Sequence, residues 1–175
     1  GYTKFATGIT GQVESVISYS GVSANKLFAA ATTNIYNITA GGVIGAPDLT
    51  SLSNARWQYI NMRTSSSYLM MVNGADKLRF YDGTNWAKDG DGAGYDITGV
   101  DTATCSNITL FKNRVWLIQD NSLKSWYLPI NSIAGAAVAL DMSSLVQMGG
   151  YLVAAMTWTL DAGYGMDDYL VFITS

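Results

Sequence analysis

Three segments of the chain share one pattern: an apolar strand, a small polar turn, and a return strand that ends in an aromatic residue. They occupy residues 26–39, 68–82 and 111–129, and residues 168–175 supply the first strand of a fourth copy. Short apolar runs rich in β-branched and aromatic residues, joined by a polar turn, indicate β-hairpins. The chain is therefore predicted to consist of repeated antiparallel hairpins.

The spacing of these hairpins predicts a β-propeller-like array. Aligned on Leu27, Leu69, Val115 and Leu170, successive copies lie 42, 46 and 55 residues apart. The strands that lead into the hairpins begin near residues 13, 56, 104 and 151, which gives nearly the same period. A period of this length in a strand-rich chain is typical of propeller blades. We predict one domain, or a fragment of one, over residues 1–175, with about four antiparallel blades near 13–53, 56–99, 104–142 and 151–175.

The segments around the hairpins carry weaker predictions. Residues 1–11 are predicted to be a connecting arm without a strand, 43–44 part of the outer strand of the first blade, 89–94 a flexible loop, and 143–148 one helical turn. Alternation over 56–63 predicts a strand with Trp57 on one face and Met62 on the other, and Cys105 is predicted to be a small buried apolar residue.

Composition supports an all-β fold and disfavours several kinds of chemistry. Of the 175 residues only Glu14 is a glutamate, whereas glycine and other turn formers are abundant. The absence of histidine excludes the usual serine and cysteine triads and histidine zinc sites, and a lone cysteine, Cys105, excludes an internal disulfide. Lysine and arginine total ten against a net charge of −3, which disfavours a surface for duplex DNA. No apolar run is long enough to span a membrane.

Two groups of aspartates resemble sites, but neither has the pattern that a site requires. Asp89, Asp91 and the glycines between and after them resemble the start of a calcium loop, but Ala93 and Val100 stand where further ligands belong. Asp161, Asp167 and Asp168 could supply paired carboxylates, although they flank a turn between two strands. We expect no catalytic, cofactor-binding or metal-binding residues and no enzymatic activity.

Aromatic residues are the remaining signal, since the chain has five tryptophans and eleven tyrosines. Such side chains can form stacking platforms for sugars. The interpretation we favour is that Trp57, Trp116, Trp126 and Trp158 fill the space between blades.

The second half of the chain carries more specific motifs. They are F-K-x-R at 111–114, S-x-W-Y-L-P at Ser125–Pro129, where the serine directly precedes the tryptophan, S-I-x-G-A-A at 132–137, G-G-Y-L-V at 149–153, T-W-T-x-D-x-G-x-G at 157–165, and D-D-x-x-V-F-x-T-S at 167–175. In this order they resemble a family of phage and prophage virion proteins, the β-propellers of tail tube or nozzle proteins in short-tailed phages. N-G-A-D at 73–76 and Y-D-G at 81–83 match the same family.

The resemblance implies a structural virion protein that belongs to a tail tube, a nozzle or a head-to-tail connector. Its expected partners are other copies of itself and neighbouring tail or connector proteins, with passive contact to DNA that passes the tail. Its expected location is the virion, after assembly in the cytoplasm of the bacterial host. Sequences of that family continue beyond the last motif with further strands, so we expect this chain to be a piece of a longer protein.

Two alternatives remain open from the sequence. One is a carbohydrate-binding propeller that recognises a host surface glycan through tryptophan and tyrosine. The weaker one is a glycosidase that uses two aspartates. In addition, residues 169–174 form an apolar strand with no return strand after it, and an open strand edge favours pairing with another chain. We therefore expect the isolated chain to be oligomeric or poorly soluble.

Overall fold

The computed structural model describes residues 3–92, 94–161 and 166–175, without the side chains of Asp161 and Met166. It is all-β, with 49% of the chain in strands and 2% in helix, so the predicted fold class is confirmed. The one helical element in the described part of the chain is a 3₁₀ turn, Thr102–Thr104. The strands in chain order are β1 Ala6–Thr7, β2 Val13–Tyr19, β3 Lys26–Ala31, β4 Asn34–Asn37, β5 Gly42–Val43, β6 Gln58–Arg63, β7 Ser67–Val72, β8 Arg79–Tyr81, β9 Trp86–Lys88, β10 Ile97–Thr98, β11 Cys105–Phe111, β12 Arg114–Gln119, β13 Lys124–Tyr127, β14 Gly135–Ala136, β15 Val138–Asp141, β16 Leu152–Asp161 and β17 Met166–Thr174.

Four antiparallel, blade-like sheets follow one another along the chain. Sheet I has the order β2-β3-β4, sheet II β6-β7-β8-β9, sheet III β11-β12-β13-β15, and sheet IV β16-β17. Every strand in these sheets pairs antiparallel with its neighbour. The turns at Thr32, Asn113 and Asn121 adopt positive φ angles of 54°, 57° and 51°, the conformation in which a short polar residue closes a tight hairpin.

Side chains alternate between the two faces of each strand, so a sheet can pack on the preceding sheet with one face and on the following sheet with the other. We call the side of a sheet that faces the next sheet its forward face, and the opposite side its rear face. In β7, Leu69 and Met71 pack against sheet I, whereas Met70 and Val72 pack against sheet III. The apolar strand runs are therefore buried on both faces, as in a stacked array of sheets.

Each interface between sheets has its own core. Phe28 and Ile17 of sheet I meet Leu69 and Tyr81 of sheet II. The largest cluster joins sheets II and III and includes Met62, Met70, Val72, Leu78, Phe80, Ile97, Cys105, Ile108, Val115, Leu117, Leu128 and Ala137. Between sheets III and IV the core is smaller and contains Ile118, Met142, Leu152 and Ala155.

The first blade departs from the expected four strands. Residues 43–44 were expected to form its outer strand, but Val43 pairs in parallel with Thr7. The reason is local, because Gly41 and Gly42 have φ angles of +66° and +72° and turn the chain away from sheet I. The position beside β4 is taken by one isolated bridge, between Ile35 and Leu49.

An arm near the N-terminus, residues 5–10, covers part of the rear face of sheet I together with residues 42–44. We expected residues 1–11 to be a connection without a strand, yet Ala6–Thr7 forms β1. Ala6 and Ile9 pack on a cluster that contains Ala29, Ala31 and Tyr36. Gly8 has a φ of +88°, and a Cβ atom there would lie 2.8 Å from the carbonyl oxygen of Ile44, so the close approach of arm and sheet requires glycine.

A second short parallel pair connects the loop that follows sheet II to the link between β13 and β15 of sheet III. In it, β10 pairs with β14 through Ile97 with Gly135 and Thr98 with Ala136. After β15, the amides of Leu145 and Val146 both donate to the carbonyl of Met142 and close a tight turn, so residues 143–148, where one helical turn is predicted, form a turn and no helix. Among the described residues, no helix has the length and apolar character needed to cross a membrane.

Candidate assembly surface

Sheet IV is a long hairpin that contacts sheet III mainly through its base. Ala155, Leu170 and Phe172 lie on its rear face and pack on the core of that interface. The amide of Ala155 donates a 3.0 Å hydrogen bond to Oδ1 of Asn107 in sheet III, and the rings of Phe172 and Trp116 lie 6.0 Å apart. Residues 157–160 and 167–169 are exposed, so the outer half of the hairpin extends beyond sheet III.

The forward face of sheet IV is apolar and exposed. Pairing of β16 with β17 places Met156 opposite Val171, Trp158 opposite Tyr169, and Ala154 opposite Ile173 on this face. Trp158 is 53% exposed and Tyr169 is 51% exposed. We call this surface the fourth-sheet face, and its members are Ala154, Met156, Trp158, Leu160, Asp167, Tyr169, Val171 and Ile173.

The corresponding forward positions in sheets I and II are buried, whereas Trp116 of sheet III is half-buried. By alignment of the strands, Val171 takes the place of Phe28 in sheet I and Met70 in sheet II, which are both fully buried by the next sheet. Ile173 takes the place of Val72 in the same way, yet it is 42% exposed. The fourth-sheet face therefore has the same kind of residues as the buried faces between sheets. Among the described residues, however, no sheet packs against it.

Charge is nearly absent from the fourth-sheet face. Its one acidic member is Asp167, which is paired with Leu160 at the outer end and accepts a 3.5 Å hydrogen bond from the hydroxyl of Tyr169. Asp168 lies on the opposite face, where it accepts a 2.7 Å hydrogen bond from the hydroxyl of Thr159. Asp167 and Asp168 thus do not converge as paired carboxylates, and the side chain of Asp161 lies outside the described part.

The aspartates of the candidate calcium loop also have other roles. Asp89 is only 6% exposed, and its carboxylate accepts hydrogen bonds from the hydroxyl of Thr102 at 2.7 Å and from the amide of Ile97 at 2.8 Å. Nζ of Lys77 lies 3.5 Å from the same carboxylate. Asp91 caps the adjacent turn by accepting from the amide of Lys88. We expected residues 89–94 to be a flexible loop, but Asp89 is fixed inside a buried network that joins sheet II to the strand entering sheet III.

Most of the aromatic residues are structural. Trp57 is 3% exposed, as expected for a residue between blades. Tyr19, Phe28 and Tyr81 form an edge-to-face cluster between sheets I and II, with ring centroids 5.1 Å apart in both pairs. Trp158 contradicts the expectation that it fills space between blades, because it lies on the forward side of the last described sheet.

A polar cleft of about 260 Å³ lies between the turns of sheets I and II. The hydroxyl of Tyr19 borders it and lies 3.3 Å from the carbonyl oxygens of Ser67 and Asp82. Burial, and secondarily the carboxylate of Asp82, raises the pKa of Tyr19, so its phenol stays protonated at neutral pH. The cleft therefore offers polar groups for hydrogen bonding.

Cys105 is fully buried between sheets II and III. Burial raises the pKa of its thiol to about 12, which agrees with the expectation that it is a small apolar core residue. Within residues 3–92, 94–161 and 166–175, no group of three potential metal-binding side chains comes together.

The fourth-sheet face was not identified from the sequence, although a signal for it exists. Met156, Trp158 and Leu160 alternate with Thr157 and Thr159, which marks one apolar and one polar side of a strand. Alternation shows that a strand has an apolar side, but it does not show whether another element covers that side. Only the positions of the four sheets reveal that this one is open.

Comparisons with known proteins do not add to this description. The chain matches no family model, no curated protein and no solved structure.

Proposed function

We propose that the chain is a structural subunit of a phage virion, a component of the tail tube, nozzle or head-to-tail connector that acts through contacts with other subunits. The observation that carries the proposal is the fourth-sheet face, with Trp158 and Tyr169 each about half exposed on an otherwise apolar sheet surface. Extended exposed apolar surfaces mark sites of protein association. The motifs at 111–137 and 149–175 supply the link to tail proteins.

The partners follow from the same reasoning. They are further copies of the chain and neighbouring tail or connector proteins, and the location is the virion after assembly in the bacterial cytoplasm. Ten lysines and arginines scattered over a chain with a net charge of −3 suit passive contact with DNA and do not suit tight binding.

The test is to locate the protein in particles. Antibodies raised against the chain, applied to purified virions of the phage that encodes it, are expected to label the tail in immunogold electron microscopy. Antibodies against the major capsid protein serve as the control for particle integrity. Intact, capsid-labelled particles that carry none of this protein by labelling and by mass spectrometry would refute the proposal.

A second candidate function, binding of a host surface glycan, is favoured by one observation. Trp158 and Tyr169 lie directly opposite each other in the hairpin and expose about half of each side chain. Adjacent exposed aromatic rings can stack on sugar rings. A glycan array separates the two candidates, because saturable binding that is lost in Trp158→Ala would favour the carbohydrate-binding function.

A further inference from the structure

We propose that the fourth-sheet face is covered by the same face of a second copy of this chain, related by a two-fold axis. This inference rests on the proposed assembly function and names the partner of that surface. The packing of the other sheets, the partly covered rear face of sheet I, the apolar area of the fourth-sheet face and its charge all favour this partner.

The other sheets show what a forward face binds. Phe28 of sheet I packs on a flat β-sheet, and Met70 of sheet II does the same. A projecting two-stranded hairpin is marginally stable in water without a further layer. The partner that matches this chemistry is therefore another apolar β-sheet surface.

Head-to-tail stacking of copies is hindered at sheet I. The part of its rear face that includes Ala29 and Tyr36 is already covered by Ala6 and Ile9 of the arm, and Val16, which is 56% exposed on the same face, lies on the edge strand β2. The arm is held by main-chain hydrogen bonds of 2.8 Å, from Gly42 to Phe5 and from Ile44 to Thr7. Among the described sheet faces, the fourth-sheet face carries the most exposed large apolar side chains, namely Met156, Trp158, Leu160, Tyr169 and Ile173.

The area is sufficient for a weak, specific dimer. Trp158 and Tyr169, each about half exposed, contribute roughly 100 Å² apiece. With Met156, Leu160 and Ile173, which are 42–47% exposed, the apolar side-chain area is on the order of 400 Å² per copy. Homodimer interfaces are about 65% apolar, so each copy would bury roughly 600 Å² in total. The two copies together would bury roughly 1,200 Å², which is the lower end of the range for stable complexes.

The charge on the fourth-sheet face permits self-association. A surface that carried several charges of one sign would repel a copy of itself. Here Asp167 is the one charged member of the described residues, and it lies at the outer end. A two-fold axis perpendicular to the strands and near the middle of the face, between Met156 and Trp158, would place the two Asp167 carboxylates at opposite ends of the interface, roughly 20 Å apart.

Sedimentation velocity over about 1–200 μM chain is the first test. We expect the wild type to change from monomer to dimer, with half-dissociation at roughly micromolar to tens of micromolar concentrations. Trp158→Lys is expected to weaken the dimer at least tenfold. Leu145→Lys is the matched control, because Leu145 is 78% exposed but lies outside the fourth-sheet face, and it should dimerise like the wild type. A wild type that stays monomeric at 200 μM, or equal behaviour of the two lysine variants, would overturn the proposal.

Cross-linking distinguishes the two-fold arrangement from other assemblies. Cys105 is fully buried and will not react in the native state, so Met156→Cys provides one accessible thiol. With a short bismaleimide, it should form a covalent dimer, whereas Leu145→Cys should not. Open-ended oligomers that grow with concentration, with no Met156→Cys dimer, would indicate head-to-tail contacts and refute the two-fold model.

The outcomes also separate this inference from the proposed function. If the protein labels virion tails but is monomeric in solution, the two-fold dimer is wrong and the virion role stands. If the dimer forms and virions contain none of the protein, the dimer is right and the virion role is wrong.

Discussion

The buried network around Asp89 gives the sharpest prediction of stability. The hydroxyl of Thr102, which is fully buried, donates to Oδ2 of Asp89 and accepts from the amide of Leu78 at 3.1 Å. Thr102→Val keeps the shape of the side chain and removes both hydrogen bonds. The amide of Leu78 then has no partner from this residue, and the carboxylate keeps only Ile97 and Lys77.

The magnitude follows from these two losses. A buried donor left without a partner costs about 1–3 kcal/mol, and a hydrogen bond to a charged group contributes about 1.5–3 kcal/mol. We expect the free energy of unfolding to fall by about 3 kcal/mol, which at a typical urea dependence lowers the midpoint by roughly 1–2 M. Thr102→Ser keeps the hydroxyl, so it should lose only about 1 kcal/mol for the missing methyl group.

Thr159 provides a matched control. Its hydroxyl donates to the carboxylate of Asp168 at 2.7 Å, the same distance as in the buried pair, but both residues are exposed. Thr159→Val should therefore change the stability by less than about 1 kcal/mol. All variants are compared by urea unfolding followed by circular dichroism at one protein concentration. Equal losses for Thr102→Val and Thr159→Val would show that burial does not make the Asp89 network important.

Three further predictions use other parts of the molecule. Leu117→Ala, at a fully buried position between sheets II and III, should cost about 2–5 kcal/mol in urea unfolding, whereas Leu160→Ala, at a 47% exposed position, should cost less than about 1 kcal/mol. The hydrogen bond from Lys77 lowers the pKa of Asp101. This pair therefore stabilises the fold at pH values above the ordinary aspartate pKa, and the stabilisation is lost as the pH falls through the lowered pKa of Asp101. An NMR titration should find a higher Asp101 pKa in Lys77→Met than in the wild type. The Cys105 thiol, buried and with a pKa of about 12, should not react with a thiol reagent at pH 8 until urea unfolds the chain, and fast reaction in native buffer would contradict the packing of sheets II and III.

The sequence alone determined the fold class and the positions of the hairpins. Strand propensity, polar turns and a regular period are local properties, so the pairs β3 with β4, β7 with β8 and β12 with β13 follow from neighbouring residues. The alternation of residues 56–63 also predicted that Trp57 and Met62 lie on opposite faces of β6. In the structure Trp57, just before β6, faces sheet I, and Met62 faces sheet III. The virion function stays a prediction from the motifs.

The tertiary structure decided which apolar faces are covered and which polar residues are buried. Val43 left sheet I for the arm because two glycines with positive φ redirect the chain, and the arm then covered a face that the sequence left unassigned. Asp89 begins a stretch predicted to be a flexible loop, but it is buried and accepts a hydrogen bond from Thr102, thirteen residues away. Trp158 is a large aromatic residue of the kind that usually fills a core, yet it is 53% exposed. Burial depends on contacts between distant segments, and the pattern of one strand does not contain that information.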